Sequence, residues 1–343
     1  MCKGFFKYFF IGISIYILIN LFCGFSPILI NRSIHNQINF IDRQLDSGAD
    51  ADLQLSYPEG YIFANSIFAL SLIEYYNSNY YNNQKLSLIT DRCIQRLLSS
   101  TGTSSFDENL PLKYGAFYNG WTNYTLKKYR ESLLYAYSNQ QKLFDDAYQS
   151  LSHQIIQHQI DSISVIESYS ESVWPADNLA CIASLDSSFY YIKEEWLELL
   201  INMSQNESGL INHDNFDKSV VRGSSQALIL YFLIEIEENF ARSSYHRYND
   251  IFIDRFFGLL LVNEYENDGS EDLDSGPLVL GYGSVATIMN VITQAQYNKQ
   301  EKLTWGFLNV LGIPINIFGK KYYLFKQELM LDIFMLWTSV ALI

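Results

Sequence analysis

The sequence predicts an all-α fold: a closed (α/α)6 toroid of about twelve alternating inner and outer helices, behind an N-terminal transmembrane or signal helix. Three observations predict it. Runs that are apolar on every side alternate with runs that are apolar on one side only, as buried and peripheral helices should be. The starts of the apolar runs recur about every 46–58 residues, near the period of a repeated two-helix unit. Short clusters of carboxylate, aromatic, amide and Gly/Pro residues stand before those starts, and strand-like alternation is scarce.

The chain of 343 residues is 48% hydrophobic and 16% aromatic, which supplies a large core and excludes global disorder. Its net charge of -14 and pI near 4.7 leave too few cations to capture nucleic acid through phosphates. Twenty-six Tyr and 23 Phe suit sugar rings, although low-GC codon usage gives the same composition. At the N-terminus, Lys3 and Lys7 precede an uncharged stretch from Tyr8 to Ile30, long enough to span a bilayer. The division is therefore 1–32 as anchor or signal segment and 33–343 as one domain. An uncleaved anchor places the bulk of the chain on the extracytoplasmic side. Cleavage near Cys23-Gly24-Phe25-Ser26 is the rival, while Phe22 argues against lipid attachment at Cys23. In the body, Cys93 and Cys181 either pair or remain buried thiols, and neither has the spacing of a zinc site.

Taken in order, Ser33 to Leu45 reads as a first helix, stopped by Asp46-Ser47-Gly48. Tyr57-Pro58-Glu59-Gly60 opens the run Tyr61 to Tyr76, and Leu86 to Ser100 returns. Tyr118-Asn119-Gly120-Trp121 opens a helix through about Tyr137, and Gln141 to His158 returns. Trp174-Pro175-Ala176-Asp177-Asn178 opens the run to Leu185, followed by Glu194 to Met203. Arg222-Gly223-Ser224-Ser225-Gln226 opens the run to Phe240, followed by Ser243 to Phe257. Asp274-Ser275-Gly276-Pro277 opens Leu280 to Gln296, and Glu301 to Leu311 returns. Gln327 to Leu342 closes the chain, and the first helix pairs with the last.

The alternation, the length and the motifs WPADN at 174–178, RGSSQ at 222–226 and DLDSGP at 272–277 resemble the six-hairpin (α/α)6-barrel superfamily. That superfamily includes glycoside hydrolases, polysaccharide lyases and linalool dehydratase/isomerase-like proteins. The resemblance covers roughly residues 34 to 342 and lies in architecture and motif style. It carries over no complete catalytic signature.

In such a toroid every outer-to-inner connection lies at one end, beside the partial positive charge of the inner-helix N-termini. Glu59, Asp177, Asp272 and Asp274 are then the candidate catalytic carboxylates, two of them facing each other across a glycosidic bond as acid and base or nucleophile. Tyr57, Tyr118, Asn119, Trp121, Trp174, Asn178, Arg222 and Gln226 are the candidate substrate-binding residues. Each has a plainer reading as a helix cap, turn or core residue, or for Arg222 as the neutraliser of a nearby acid. His213 is available as the base of a lyase, although a single loop histidine is more often incidental. The expected ligand is carbohydrate or another polar small molecule, with no cofactor and no metal. A non-catalytic envelope binding or scaffold protein, and an isomerase or dehydratase of a small alcohol, are the alternatives. Gly281-Tyr282-Gly283-Ser284-Val285-Ala286 matches a dinucleotide-binding pattern, but no βαβ unit surrounds it, so it reads as chance or close helix packing. The acidic stretch 264–274 does not fit a calcium loop.

Overall fold

A computed structural model describes residues 2–79, 83–161, 163–214, 220–266, 269–270, 276–297, 299–325 and 328–343. It is mostly helical. In chain order the elements are α1 (Cys2–Phe22), α2 (Pro27–Asp46), α3 (Ala49–Ser56), α4 (Gly60–Asn79), α5 (Asn83–Leu97), α6 (Ser100–Thr103), α7 (Gly115–Glu131), α8 (Gln141–Asp161), α9 (Pro175–Ser184), α10 (Tyr190–Ser204), α11 (Gly223–Ile236) and α12 (Glu238–Phe252). There follow β1 (Ile253–Phe256), β2 (Leu259–Val262), β3 (Leu278–Val279), β4 (Tyr282–Gly283), α13 (Ser284–Gln296), α14 (Lys302–Leu311), β5 (Pro314–Ile317), β6 (Lys320–Tyr323) and α15 (Leu329–Val340).

Two kinds of helix occur, as their side chains require. In α11, Ala227, Ile229, Leu230, Tyr231, Phe232 and Leu233 are all buried, and they cover more than one face of the helix. In α12 only the stripe Ala241, Ser244, Tyr245, Tyr248 and Phe252 is buried. The helices buried on most sides pack on one another: α4 on α7, α7 on α9, α9 on α11, α11 on α13, α13 on α15, and α15 on α4. Each also packs on an amphipathic partner: α5 on α4, α8 on α7, α10 on α9, α12 on α11, α14 on α13 and α2 on α15. Contacts join residues at similar depth from each start, so the six apolar helices begin at a common end. Trp121 meets Phe232 at 5.3 Å between ring centroids, and Tyr231 meets Trp337 at 4.9 Å. Gly120 lets α7 and α9 approach closely, since a Cβ there would lie 3.0 Å from the Cβ of Ala180.

The structure departs from the sequence expectation at several boundaries. α2 begins at Pro27 rather than Ser33, because Ser26 caps it by accepting from the Leu29 N–H at 3.4 Å. The short helix α3 fills the link to α4. The helix predicted to run through Tyr137 stops at Glu131, and Leu133–Tyr137 forms a 3-10 turn. The return helix predicted over Ser243 to Phe257 starts at Glu238, capped by Glu237, and ends at Phe252 where β1 begins.

Among the described residues the strands form three two-stranded antiparallel hairpins, β1–β2, β3–β4 and β5–β6. Each turns on two residues of positive φ, the second a glycine: Phe257-Gly258, Leu280-Gly281 and Phe318-Gly319. That is the primed turn whose twist matches a hairpin. Gly281-Tyr282-Gly283 therefore belongs to a hairpin leading into α13, and no βαβ unit surrounds it.

One N-terminal stretch, Lys7–Phe25, is long and apolar enough to cross a membrane, with mean hydropathy 2.0. Cys93 and Cys181 are free and buried, which resolves their pairing in favour of separate thiols. Burial pushes the Cys93 thiol up to about 12, so it is an inert core group.

The end at which the apolar helices finish holds a polar cluster. A cavity of about 190 Å³ there is lined by Glu74, Lys128, Tyr231, Glu235 and Gln296, among others. Lys128 Nζ donates to Glu235 Oε1 at 2.9 Å, and Tyr124 Oη donates to the same oxygen at 2.8 Å. Burial raises Glu74 from 4.5 to about 7, partly opposed by Lys128. A carboxyl raised on folding contributes fully below its unfolded value and loses that contribution as pH rises to the folded one. Glu74→Gln should therefore gain about 1–2 kcal/mol over the native chain at pH 8 and nothing at pH 4, measured by urea unfolding at both pH values.

Gly115 is a second sensitive point. Its φ is +72, and an added Cβ would lie 2.4 Å from Ser168 O. Gly115→Ala should cost about 2–3 kcal/mol in the same measurement.

Candidate functional site

The predicted site residues group at the end where the apolar helices start. Tyr57 and Glu59 precede α4, and Tyr118, Asn119 and Trp121 occupy the first two turns of α7. Trp174 caps α9, with Asp177 and Asn178 in its first turn, and Arg222 caps α11, with Gln226 one turn in. Asp272 and Asp274 lie outside the described residues.

Several of these side chains are spent on holding the loops. Asn119 donates to Lys113 O and Gly115 O, both at 2.8 Å, and so fixes the left-handed turn at Tyr114-Gly115. Asn178 accepts from Ile166 N at 2.8 Å and donates to Ile166 O at 2.9 Å, clamping the loop ahead of α9. Gln226 donates to Ile211 O. Tyr118 donates to Leu97 O at 3.2 Å, and burial pushes its hydroxyl up to about 12. Trp121 is 0% exposed, packed between Phe63, Phe117 and Phe232, so neither face of its ring meets solvent. Asp177 is 3% exposed and lies near the Cys181 thiol, which it helps to keep protonated. Ligand contact had been expected at these positions. The structure puts them inside the packing, because the first turn of a helix buried on all sides is itself buried.

What remains half-buried forms a connected chain across several helix starts. Tyr169, in the loop ahead of α9, donates its hydroxyl to Glu59 Oε1. Its ring lies edge-on to Trp174 at 5.2 Å and stacks with Phe106 at 6.0 Å. Trp174 stacks with His213 at 6.1 Å. A guanidinium has no acceptor, so His213 Nε2 accepts from Arg222 Nη1 at 3.3 Å. Its Nδ1 lies 2.7 Å from Ser225 Oγ.

Arg222 continues the chain to Glu264, the first acid of the stretch 264–274. Its Nε donates to Glu264 Oε1 at 2.9 Å, and Ser224 Oγ donates to the same oxygen at 2.6 Å. The side chains of the pair are 5% and 0% exposed. Burial raises the Glu264 carboxyl, while Ser224 and Arg222 oppose the rise. Backbone pairing sets the register: Gly223 N–H donates to Glu264 O at 2.8 Å, and Arg222 bridges to Tyr265. Gly283 leaves room for the acid, since a Cβ there would lie 2.7 Å from Glu264 Oε2. The Arg222 guanidinium also lies over the Tyr265 ring at 5.6 Å.

The cluster thus offers a half-buried carboxylate at Glu59, three aromatic rings at Tyr169, Trp174 and Tyr265, an imidazole at His213 and a charge-paired guanidinium. Tyr169, His213 and Glu264 were not singled out together by sequence because their partners are distant in the chain. The alternation of apolar β2 with the acid just after it was the available signal. A separate cavity of about 550 Å³, lined by Phe40, Leu53, Tyr322, Glu328 and Asp332 among others, shares no residue with the cluster.

Removing one partner of a buried ion pair strands the other. Arg222→Met should cost about 3–5 kcal/mol in unfolding free energy, and Arg222→Met with Glu264→Leu should recover most of it. Equal destabilisation in the single and double variants would show that the pair is not the source of the loss.

A scan against protein-family models finds none that matches the chain, and a search of curated proteins finds no similar sequence.

Proposed function

We propose that the chain is a membrane-anchored, exported (α/α)6 toroid that takes a carbohydrate ligand at the end where its inner helices begin. The sequence of helix contacts, from α4 through α7, α9, α11 and α13 to α15 and back to α4, supports the toroid reading. The apolar span Lys7–Phe25, preceded by Lys3, supports the anchor with the domain outside. The observation that carries the ligand class is the chain from Glu59 through Tyr169, Trp174 and His213 to Arg222. Aromatic faces beside a carboxylate and a guanidinium suit the alternating apolar faces and hydroxyl edges of a sugar. In this reading Glu59 is the general acid or base, with Tyr169 holding its proton position.

A second reading, binding without turnover, has its own support. Of the four acids expected to act, Glu59 is half-buried and Asp177 is buried at 3% exposure. Among the described residues this leaves one accessible carboxylate of the predicted set, which suits binding a glycan but does not complete an acid–base pair.

The test is a glycan-array and hydrolysis screen of the full chain beside Glu59→Gln and Trp174→Ala. Turnover by the native chain, abolished by Glu59→Gln and weakened at least tenfold by Trp174→Ala, is the expected result. Binding that Trp174→Ala removes, without turnover, selects the second reading. No binding by a folded chain overturns both.

A further inference from the structure

α1 is not an independent tether. Its last two turns lie antiparallel along α14 and the start of β5. Tyr16 donates its hydroxyl to Pro314 O, and Asn309 Nδ2 donates to Asn20 O at 2.9 Å. Gly306 makes the closest approach, since a Cβ there would lie 2.0 Å from Leu21 O. Gly24, just past the helix, rests on the Trp305 ring, with its Cβ position 2.9 Å from Cε3.

This register fixes a direction. Trp305 Nε1 donates to Ser339 Oγ at 3.1 Å, near the end of α15. Asn309 Oδ1 accepts from Tyr323 Oη at 2.7 Å, and the Tyr323 N–H donates to Asp332 in the first turn of α15. Following α1 from Gly24 back to Tyr16 therefore leads toward the end where α15 and the other apolar helices begin. Residues 7–15, all exposed, continue on that side.

The same end carries exposed apolar side chains. Leu280 is 92% exposed on the turn before α13, Leu55 87% before α4, Leu311 54% and Ile313 47% after α14, and Phe325 44% ahead of α15. Length then decides between poses. Residues 7–15 supply about 14 Å of helix, against a hydrocarbon core of about 30 Å. A docked α1 therefore enters the lipid to about the depth of one leaflet, and it does so only if that end of the domain comes down onto the lipid.

We infer that the domain rests on the bilayer through this apolar end, held there by the docked part of α1, which brings the Glu59-to-Glu264 cluster to the membrane surface. The inference depends on α1 being a membrane helix, as in the proposed function. Asp52 and Glu328 are exposed at the same end, so the lipid it suits is zwitterionic rather than anionic.

The experiment uses the full chain with Cys2→Ser in phosphatidylcholine nanodiscs whose acyl chains are brominated both near the headgroup and near the bilayer centre. An environment-sensitive fluorophore is placed in turn on Tyr8→Cys, Leu280→Cys and Tyr191→Cys, the last 77% exposed at the opposite end. Several-fold stronger quenching at the first two than at the third is the expected result. Quenching at Tyr8→Cys alone overturns the pose while leaving the anchor. Absence of quenching at Tyr8→Cys overturns the anchor and the inference with it. Asn309→Ala and Gly306→Leu, each checked for native helicity, should undock α1 and abolish quenching at Leu280→Cys while keeping it at Tyr8→Cys. Unchanged quenching at Leu280→Cys in both would show that docking does not set the pose, and the inference would fall.

Discussion

A helix buried on every side meets solvent only at its ends, and this constraint governs the molecule. The runs in α4, α7, α9, α11, α13 and α15 leave no side of the helix for solvent, so each must be covered by neighbours. Polar side chains inside the runs, such as Asn123 and Thr293, are answered by neighbouring helices, while charged groups gather toward the ends. Toward the finishing end Glu74, Glu235 and Lys128 line a small cavity, and Tyr124 donates to Glu235. At the starting end lies the longer chain from Glu59 to Glu264.

The starting end is richer because it must also terminate loops of unequal length. The loop before α9 is held by Asn178, and the loop before α7 by Asn119, each answering two backbone groups. Buried backbone amides and carbonyls need partners, and an amide side chain supplies a donor and an acceptor at once. That need explains why amides recur in the motifs WPADN and YNGW independently of any ligand. It also separates the structural members of the motifs from those left half-buried, chiefly Glu59, Trp174 and the ring of Tyr169.

Much of the helical frame was legible in the sequence, and for a physical reason. Gly60, Pro175 and Gly223 mark starts that the structure reproduces, because Pro and Gly punctuate helices locally. The hairpins were not read. Their turns place Phe257, Leu280 and Phe318 where Asn or Asp is usual, so the local signal was masked by apolar residues. β2, Leu259–Val262, is a short apolar run that periodicity cannot assign to strand or helix. The Arg222–Glu264 pair was equally hidden. Arg222 was expected to neutralise an acid or hold a ligand, but only the path of β2 past α11 identifies which acid.

That pair also bears on how the site can work. An exposed arginine would hold an anionic ligand on its own charge, whereas Arg222 is already neutralised by a carboxylate at 2.9 Å in a dry setting. Its Nη1 is turned to His213, and its face to Tyr265. The guanidinium thus holds the imidazole, which in turn stacks on Trp174. A change at Glu264 would be felt at Trp174 through Arg222 and His213. The rigid, charge-balanced half of the cluster positions the aromatic half, and Glu59, which accepts from the Tyr169 hydroxyl, is the half-buried one of the two described predicted acids.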